Sequence, residues 1–169
     1  ITALSSFRLA AETHQSDGYY TNSFLNRDDV NQRDETSLRG KLQLISAPGA
    51  DLIWEALLTL ANTNVDNGYD AFTLDNSRTT LSDQPGHDRQ ESTSLALDST
   101  LHLASVDLQL LASLGNTDSE YGYDEDWTFA GIHPDGYSAF DDYLRQRDTL
   151  NLEARVISNQ PIKTGSLST

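Results

Sequence analysis

A strict two-residue alternation of apolar and polar side chains constrains this chain more than any other feature. From residue 104 to residue 114 the even positions read Ala, Val, Leu, Leu, Ala and Leu, and the odd positions read Ser, Asp, Gln, Leu and Ser. A period of two is that of a β-strand whose two faces differ, because successive side chains point to opposite sides. Strands of about 9–11 residues with this alternation are what the wall of a transmembrane β-barrel requires, with the apolar face toward lipid.

The same alternation predicts six strands, which lie at about residues 3–13, 36–46, 51–63, 91–103, 104–114 and 148–158. Residues 51–62 contain Leu, Ala and Glu and therefore also allow a helix, but Trp54, Leu58 and Leu60 fit period two better than period 3.6. The residues that alternate onto the polar face include Arg8, Arg39, Lys41, Gln43, Glu55, Asp98, Asp107, Glu153 and Arg155.

The connections between the predicted strands alternate in length. Residues 47–50 form a Pro-Gly turn and residues 99–105 leave little room for a loop, whereas 14–35, 64–90 and 115–147 are long, polar and rich in Asp, Asn, Gly and Tyr. Short turns at one edge and long loops at the other are typical of an outer-membrane barrel. The predicted fold is therefore all-β, with antiparallel up-and-down strands that form part of a transmembrane β-barrel. Six strands are too few to close such a barrel, whose smallest members have about eight.

Composition excludes several other classes of protein. Only 37% of the residues are hydrophobic, and no stretch approaches the roughly 18 consecutive apolar residues of a transmembrane helix. The formal net charge of −15 argues against a nucleic-acid partner, since phosphate binding requires clustered Lys and Arg. The chain contains no cysteine, so it has neither disulfides nor thiol chemistry.

Several segments, taken in their order along the strands and loops, resemble the barrel of TonB-dependent outer-membrane receptors. The resemblance spans about residues 5–158. The segments that carry it are Ser16–Asn22, Arg33–Leu42, Asn67–Asn76, Thr79–Gln90, Tyr123–Trp127, Gly136-Tyr137 and Tyr143-Leu144-Arg145.

This resemblance implies a barrel of about 22 strands that is plugged by an N-terminal globular domain. Receptors of this family import scarce ligands such as ferric siderophores, cobalamin or glycans, and they draw energy from the inner membrane through TonB. We therefore expect residues 1–169 to be an internal barrel segment without the plug domain and without the C-terminal strand. The implied location is the outer membrane of a Gram-negative bacterium. The implied partners are outer-membrane lipid, a small-molecule ligand (metal chelate or glycan) and, through parts outside this chain, the TonB complex.

Aromatic side chains interleaved with acids suggest where a ligand is bound. Such side chains in long loops can grip a sugar or a metal-chelated ligand, although they can equally pack the loops onto their neighbours. The predicted ligand-binding residues are Tyr69, Asp70, Tyr121, Tyr123, Trp127, His133 and Tyr137. Acidic oxygens offer a weaker prediction of Ca²⁺ binding, because they lack EF-hand spacing. The calcium candidates are Asp66, Asp70, Asp124 and Asp126.

No catalytic constellation is present in the sequence. The four histidines lack metal-type spacing, and no Gly-x-Ser-x-Gly elbow precedes a helix. We therefore expect neither an enzyme nor a bound cofactor. The alternative interpretation is a soluble extracellular β-sandwich that serves as a carbohydrate-binding or adhesion module. A sandwich would bury its Leu and Trp face against a second sheet.

Overall fold

The computed structural model describes residues 4–70, 72, 73, 75 and 77–160, and these residues form strands and connections without any helix. No helix that could span a membrane is therefore found in this part of the chain. The first residue of the first predicted strand, Ala3, and three residues of a segment that carries the resemblance, Ala71, Leu74 and Asn76, lie outside the described residues. The strands are β1 (Leu4–Ser16), β2 (Thr21–Asn22), β3 (Arg33–Ile45), β4 (Ile53–Gly68), β5 (Thr79–Thr80), β6 (His87–His102), β7 (Val106–Asp124) and β8 (Phe140–Ser158).

Six of the strands form one antiparallel sheet in the order β1-β3-β4-β6-β7-β8. Each strand pairs with its neighbour in the chain, so the sheet is an up-and-down meander, and β2 and β5 form a separate parallel pair in the connections. The prediction of an all-β, six-stranded antiparallel fold is confirmed. The sheet is open, with β1 and β8 at its edges.

The strand register brings the apolar positions of all six strands onto one face. Four successive rows of paired residues form this apolar band, from the row of Trp54 and Leu101 to the row of Leu60 and Leu95. On β4 the band runs from Trp54 to Leu60, about 20 Å along the strand at roughly 3.3 Å per residue. One complete row consists of Phe7, Leu42, Leu58, Leu97, Ala112 and Leu152.

The apolar band is not covered by other parts of the protein. Phe7 is 79% exposed and Leu150 is 73% exposed, and among the described residues only Val30 is a buried hydrophobic side chain. No second sheet within the described ranges packs on the band, so the sheet is a single layer. The packing that the β-sandwich alternative requires is therefore not formed by this part of the chain.

The opposite face is polar and concave. In β4 and β7 most side chains of this face are half-buried, whereas most band leucines are exposed, which indicates that the sheet curves around its polar side. The polar residues named from the alternation all lie here. They are linked across strands: Arg155 Nη1 donates to Gln109 Oε1 at 3.3 Å, and Gln109 Nε2 donates to Asp98 Oδ1 at 3.3 Å.

Both kinds of connection lie where the alternation places them. The Ala50 N–H donates to the Ala47 carbonyl at 3.1 Å, and Gly49 between them has φ +78°, a backbone conformation that glycine adopts without strain. The β6–β7 connection closes with a bond from Leu103 N to Val106 O at 2.9 Å. All three long connections lie at the opposite end of the strands from these short turns.

The predicted lengths of the loops were wrong. The β1–β3, β4–β6 and β7–β8 connections are residues 17–32, 69–86 and 125–139, because the strands continue past their predicted ends. The largest difference is in β7 and β8, which stay paired up to Asp124 and Phe140. The alternation stops near residue 114 because both faces become polar there, but the backbone hydrogen bonds that define a strand do not depend on side-chain hydropathy.

Candidate functional site

Four tyrosines form a cluster on the concave polar face, close to the end of the sheet where the long connections lie. Tyr121 and Tyr143 are paired across β7 and β8, and odd positions of both strands face the polar side. The Tyr121 ring centroid lies 4.8 Å from that of Tyr69, 5.7 Å from that of Tyr123 and 6.2 Å from that of Tyr143. We call these four residues the tyrosine cluster. It combines exposed ring surface with several phenol groups in one place.

The phenols of Tyr121 and Tyr123 remain protonated over the physiological range. The hydroxyls of Tyr123 and Tyr143 both donate to Asp141 Oδ2, at 3.0 and 3.2 Å. The hydrogen bond to Asp141 raises the pKa of Tyr123 to about 12, since ionisation would place two negative charges side by side. Burial, and then the neighbouring Tyr69, raise the pKa of Tyr121. The cluster therefore offers hydroxyl groups and aromatic faces.

Beside the cluster, the Arg145 side chain supplies a positive charge. Ser119, Tyr121, Tyr143 and Arg145 line a shallow depression on the sheet. Rings that stack, hydroxyls that donate and one guanidinium are the groups that bind sugars or anionic chelates.

Beyond the ends of the strands, the three long connections and the β2–β5 pair contact one another. We call this unit the loop cap. Its centre is Asn22, which is fully buried. The Asn22 Oδ1 accepts from the N–H groups of Phe24 (3.0 Å) and Leu25 (2.9 Å), and its Nδ2 donates to Ser82 O (2.8 Å) and Asp70 Oδ2 (3.2 Å). One amide side chain thus joins two of the connections.

Aromatic pairs join the third connection, residues 125–139, to the other two. Phe24 stacks on Phe129 with centroids 4.5 Å apart, and Phe72 stacks on Trp127 at 4.6 Å. Trp127 has φ +59°, which is uncommon for a residue with a bulky side chain. The contacts of Trp127 are those of loop packing, the alternative that the sequence left open.

The predicted ligand-binding residues divide into three groups. Tyr69, Tyr121 and Tyr123 come together, but Tyr121 and Tyr123 lie on β7 and not in a loop. Trp127, His133 and Tyr137 belong to the 125–139 connection, where Tyr137 is 52% exposed. Asp70 is 5% exposed and accepts hydrogen bonds from Asn22, Thr80 and Gly86, which makes it part of the loop cap interior.

Tyr143 completes the cluster although it was not among the predicted ligand residues. It occupies an odd position of β8, like Glu153 and Arg155, which the sequence placed on the polar face. The missing information was that β8 begins as early as Phe140, which pairs Tyr143 with Tyr121.

The calcium candidates have different surroundings and do not form a single group. Asp66 accepts from Arg89 Nε at 2.9 Å on the sheet, and Asp126 accepts from Thr128 N (3.1 Å) and Ala139 N (2.9 Å) in the loop cap. Asp124 is 3% exposed, and neither of its carboxylate oxygens has a hydrogen-bond partner. Burial, together with the charges of Asp126 and Asp83, raises the pKa of Asp124 to about 6, and the nearby Ser82 hydroxyl and Asp126 amide offset this only in part.

We expect the loop cap to be more stable at pH 5 than at pH 8. The pKa of Asp124 is raised in the folded protein, so folding favours its protonated form; stability is greatest below the unfolded pKa of about 4 and falls as pH rises toward 6. Hydrogen exchange of residues 125–139, corrected for the intrinsic rate, should therefore be faster at pH 8 than at pH 5. Asp124→Asn should slow exchange at pH 8 and remove most of the difference. An unchanged pH response in that variant would contradict the assignment.

Comparisons of the chain with models of known protein families, with curated proteins and with solved structures found no match. The class of protein is therefore defined by the fold and the site alone. It is a single-layer antiparallel sheet with one exposed apolar face, one concave polar face and a loop cap beside an aromatic cluster.

Proposed function

We propose that this chain forms part of the wall and the outer loops of an outer-membrane β-barrel receptor of the TonB-dependent kind. The observation that carries the proposal is the apolar band, which is exposed on one face of all six strands and lies opposite a concave polar face. In this arrangement the band contacts lipid and the polar face lines the lumen, as in a transmembrane barrel. The long connections face the outside of the cell.

The energetics of the band support contact with lipid. Leaving a Leu or Phe side chain in water costs about 1.5–3 kcal/mol relative to burying it. In water this cost would apply to each exposed side chain of the band. The side chains of the band that are more than half exposed include Phe7, Leu9, Leu114, Leu150 and Leu152. Contact with hydrocarbon removes the cost. Pairing within the sheet satisfies the backbone groups of the four inner strands, and in the proposed barrel further strands would pair with the outer sides of β1 and β8.

The height of the wall supports the same orientation. Above the band, β7 continues for ten residues from Gly115 to Asp124, about 33 Å along the strand at roughly 3.3 Å per residue. Acidic and hydroxyl side chains alternate over this part of β7, which suits a wall that rises from the membrane into water. The tyrosine cluster lies in this upper part, on the lumen side, where it is placed to receive a metal chelate or a glycan that enters past the loop cap. In the proposed receptor, release of the ligand draws on the TonB complex through residues outside this chain.

The proposal predicts opposite labelling of two engineered cysteines that lie in connections at opposite ends of the strands. The chain has no cysteine of its own, so Asp135→Cys in the 125–139 connection and Asp51→Cys in the short β3–β4 connection form a matched pair at exposed positions. In intact cells that express the full-length protein, free of other cysteines, a membrane-impermeant maleimide should label Asp135→Cys. It should label Asp51→Cys only after the outer membrane is permeabilised.

Equal labelling of both variants in intact cells would contradict a membrane-spanning wall. A product that fractionates as a soluble protein, with both cysteines reactive, would favour the extracellular carbohydrate-binding or adhesion module instead.

The tyrosine cluster gives a second prediction, on ligand binding. Tyr121→Ala removes the ring that contacts the other three, and we expect it to weaken ligand binding by about 3- to 10-fold, in line with the 0.5–1.5 kcal/mol of an aromatic contact. The full-length protein in detergent would be titrated with a panel of ferric chelates, cobalamin and oligosaccharides while intrinsic fluorescence is recorded. Tyr19→Ala is the control, since Tyr19 is 66% exposed and lies outside the cluster. Equal affinities of the two variants would remove the cluster from the binding site.

A further inference from the structure

A histidine and two carboxylates meet on the outer face of the sheet, above the apolar band. They are His87 on β6, Glu120 on β7 and Asp142 on β8, which lie on three adjacent strands. We propose that these three side chains bind a first-row divalent metal ion of the Zn²⁺ type. The proposal depends on the strand register alone and does not require the receptor function. Their side chains lie on the face opposite to the tyrosine cluster, although Glu120 and Asp142 directly precede two of its members in the chain.

The separations of the three ligand atoms fit a tetrahedral ion. His87 Nε2 lies 3.1 Å from Glu120 Oε1 and 3.4 Å from Asp142 Oδ1, and all three ligand atoms lie within 4.8 Å of one another. In a tetrahedral Zn²⁺ site the metal–ligand bonds are about 2.0–2.2 Å, which places neighbouring ligand atoms about 3.3–3.6 Å apart. The remaining separation, between the Glu120 and Asp142 carboxylate oxygens, reaches this value by a small rotation of the two carboxylates, which are both partly exposed.

The unpaired state of the imidazole nitrogen leaves it available to a metal. The His87 Nε2 atom is buried, and despite these short separations it makes no hydrogen bond. A buried ring nitrogen that lies close to two carboxylates without a hydrogen-bond partner is free to act as a metal ligand.

The surroundings hold the imidazole in this position. A Cβ atom at Gly122 would lie 2.6 Å from His87 Cε1 and 2.8 Å from Phe140 Cζ, so only glycine at position 122 leaves room for both rings. The His87 and Phe140 ring centroids are 6.0 Å apart. The imidazole is thus confined between strands, and because the ligands project from paired strands their spacing is largely fixed before the ion binds.

Arg89 is the one cation that competes at this site within the described part of the chain. Its Nη1 lies 3.6 Å from Glu120 Oε1, but its Nε donates to Asp66 at 2.9 Å, so Asp66 holds the guanidinium to one side. Two carboxylates and a neutral imidazole compensate the charge of a divalent ion. The nitrogen donor selects Zn²⁺ and similar ions over Ca²⁺ and Mg²⁺, which prefer oxygen ligands alone.

The opposite end of β6 supplies an internal contrast. His102 also lies between two carboxylates, but Asp107 approaches its Nδ1 at 3.1 Å and Glu55 approaches its Nε2 at 3.9 Å. Carboxylates on opposite ring nitrogens cannot share one ion with that ring. His102→Ala is therefore a matched control for His87→Ala.

The test measures zinc affinity of the full-length protein in detergent by competition with a chromophoric zinc chelator after treatment with EDTA. We expect His87→Ala to weaken one zinc site by more than about 100-fold, since the loss of even an outer-shell partner costs roughly 10- to 100-fold. His102→Ala should bind zinc as the unaltered protein does. With Co²⁺ in place of zinc, the unaltered protein should show the visible absorption of a four- or five-coordinate ion, and His87→Ala should lose that absorption.

Glu120→Gln and Asp142→Asn keep the shapes of their side chains and carry the test if His87→Ala does not fold. Each should weaken the same zinc site. The proposal is overturned if the unaltered protein binds no zinc, if all variants bind it equally, or if His102→Ala weakens binding as much as His87→Ala.

Discussion

Replacing Leu110 by arginine is expected to prevent insertion of the protein into lipid, whereas the same replacement at Leu111 is expected to be tolerated. Leu110 is 41% exposed and lies in the second of the four rows of the apolar band, paired with Ser99 and Ala154. An arginine on the lipid face near the middle of the bilayer costs about 2–4 kcal/mol. The yield of heat-modifiable protein after folding into lipid vesicles measures the effect.

Leu111 is a stringent control because it is the next residue of the same strand and has the same side chain. It faces the polar side and pairs with Asp98 and Glu153, so an arginine there gains two carboxylate neighbours. Equal folding yields of the two variants would show that the band does not face lipid. A loss of yield for Leu111→Arg alone would reverse the assignment of the two faces.

Asn22→Ala is expected to open the loop cap while leaving the sheet intact. The substitution deprives the N–H groups of Phe24 and Leu25, the Ser82 carbonyl and the Asp70 carboxylate of a partner. Each buried group left unpaired costs about 1–3 kcal/mol, but some will reach water as the loops relax, so we expect about 3 kcal/mol in total. That corresponds to a roughly 100-fold increase in opening of the cap, observed as faster hydrogen exchange in residues 17–32 and 69–86.

Asn31→Ala provides the comparison. Asn31 lies in the same connection as Asn22, but its side-chain oxygen has no hydrogen-bond partner, so its removal should change exchange little. Equal exchange in the two variants would mean that Asn22 does not hold the cap. Faster exchange throughout the six strands of Asn22→Ala would mean that cap and sheet unfold together.

The faces of the sheet could be predicted from the sequence because they depend on side-chain hydropathy, which has a direct period along a strand. The predicted alternation puts Leu58 and Leu97 on one face and Glu55 and Asp98 on the other, and the register agrees. The ends of the strands could not be predicted in this way. Past Leu114, strand β7 carries Asn, Thr, Ser and Glu on both faces, and only its pairing with β8 identifies it as a strand.

The candidate sites could be predicted only where the composition of one segment marks them. The sequence suggested Tyr69, Tyr121 and Tyr123 because they are aromatic residues among acids in segments that it predicted to be long loops. The His87, Glu120 and Asp142 group escaped prediction because its members are 33 and 22 residues apart in sequence and meet only through the pairing of three strands. The central role of Asn22 was equally hidden, since its partner Asp70 lies 48 residues away.

The meander order of the sheet has a consequence for how such a wall can change in evolution. Every pairing within the sheet joins strands that follow one another in the chain, and no strand crosses over another. A hairpin is therefore a self-contained unit, and duplication or loss of one hairpin leaves the register of all the others unaltered. The number of strands can change in steps of two with little redesign, while the long connections diversify independently of the sheet.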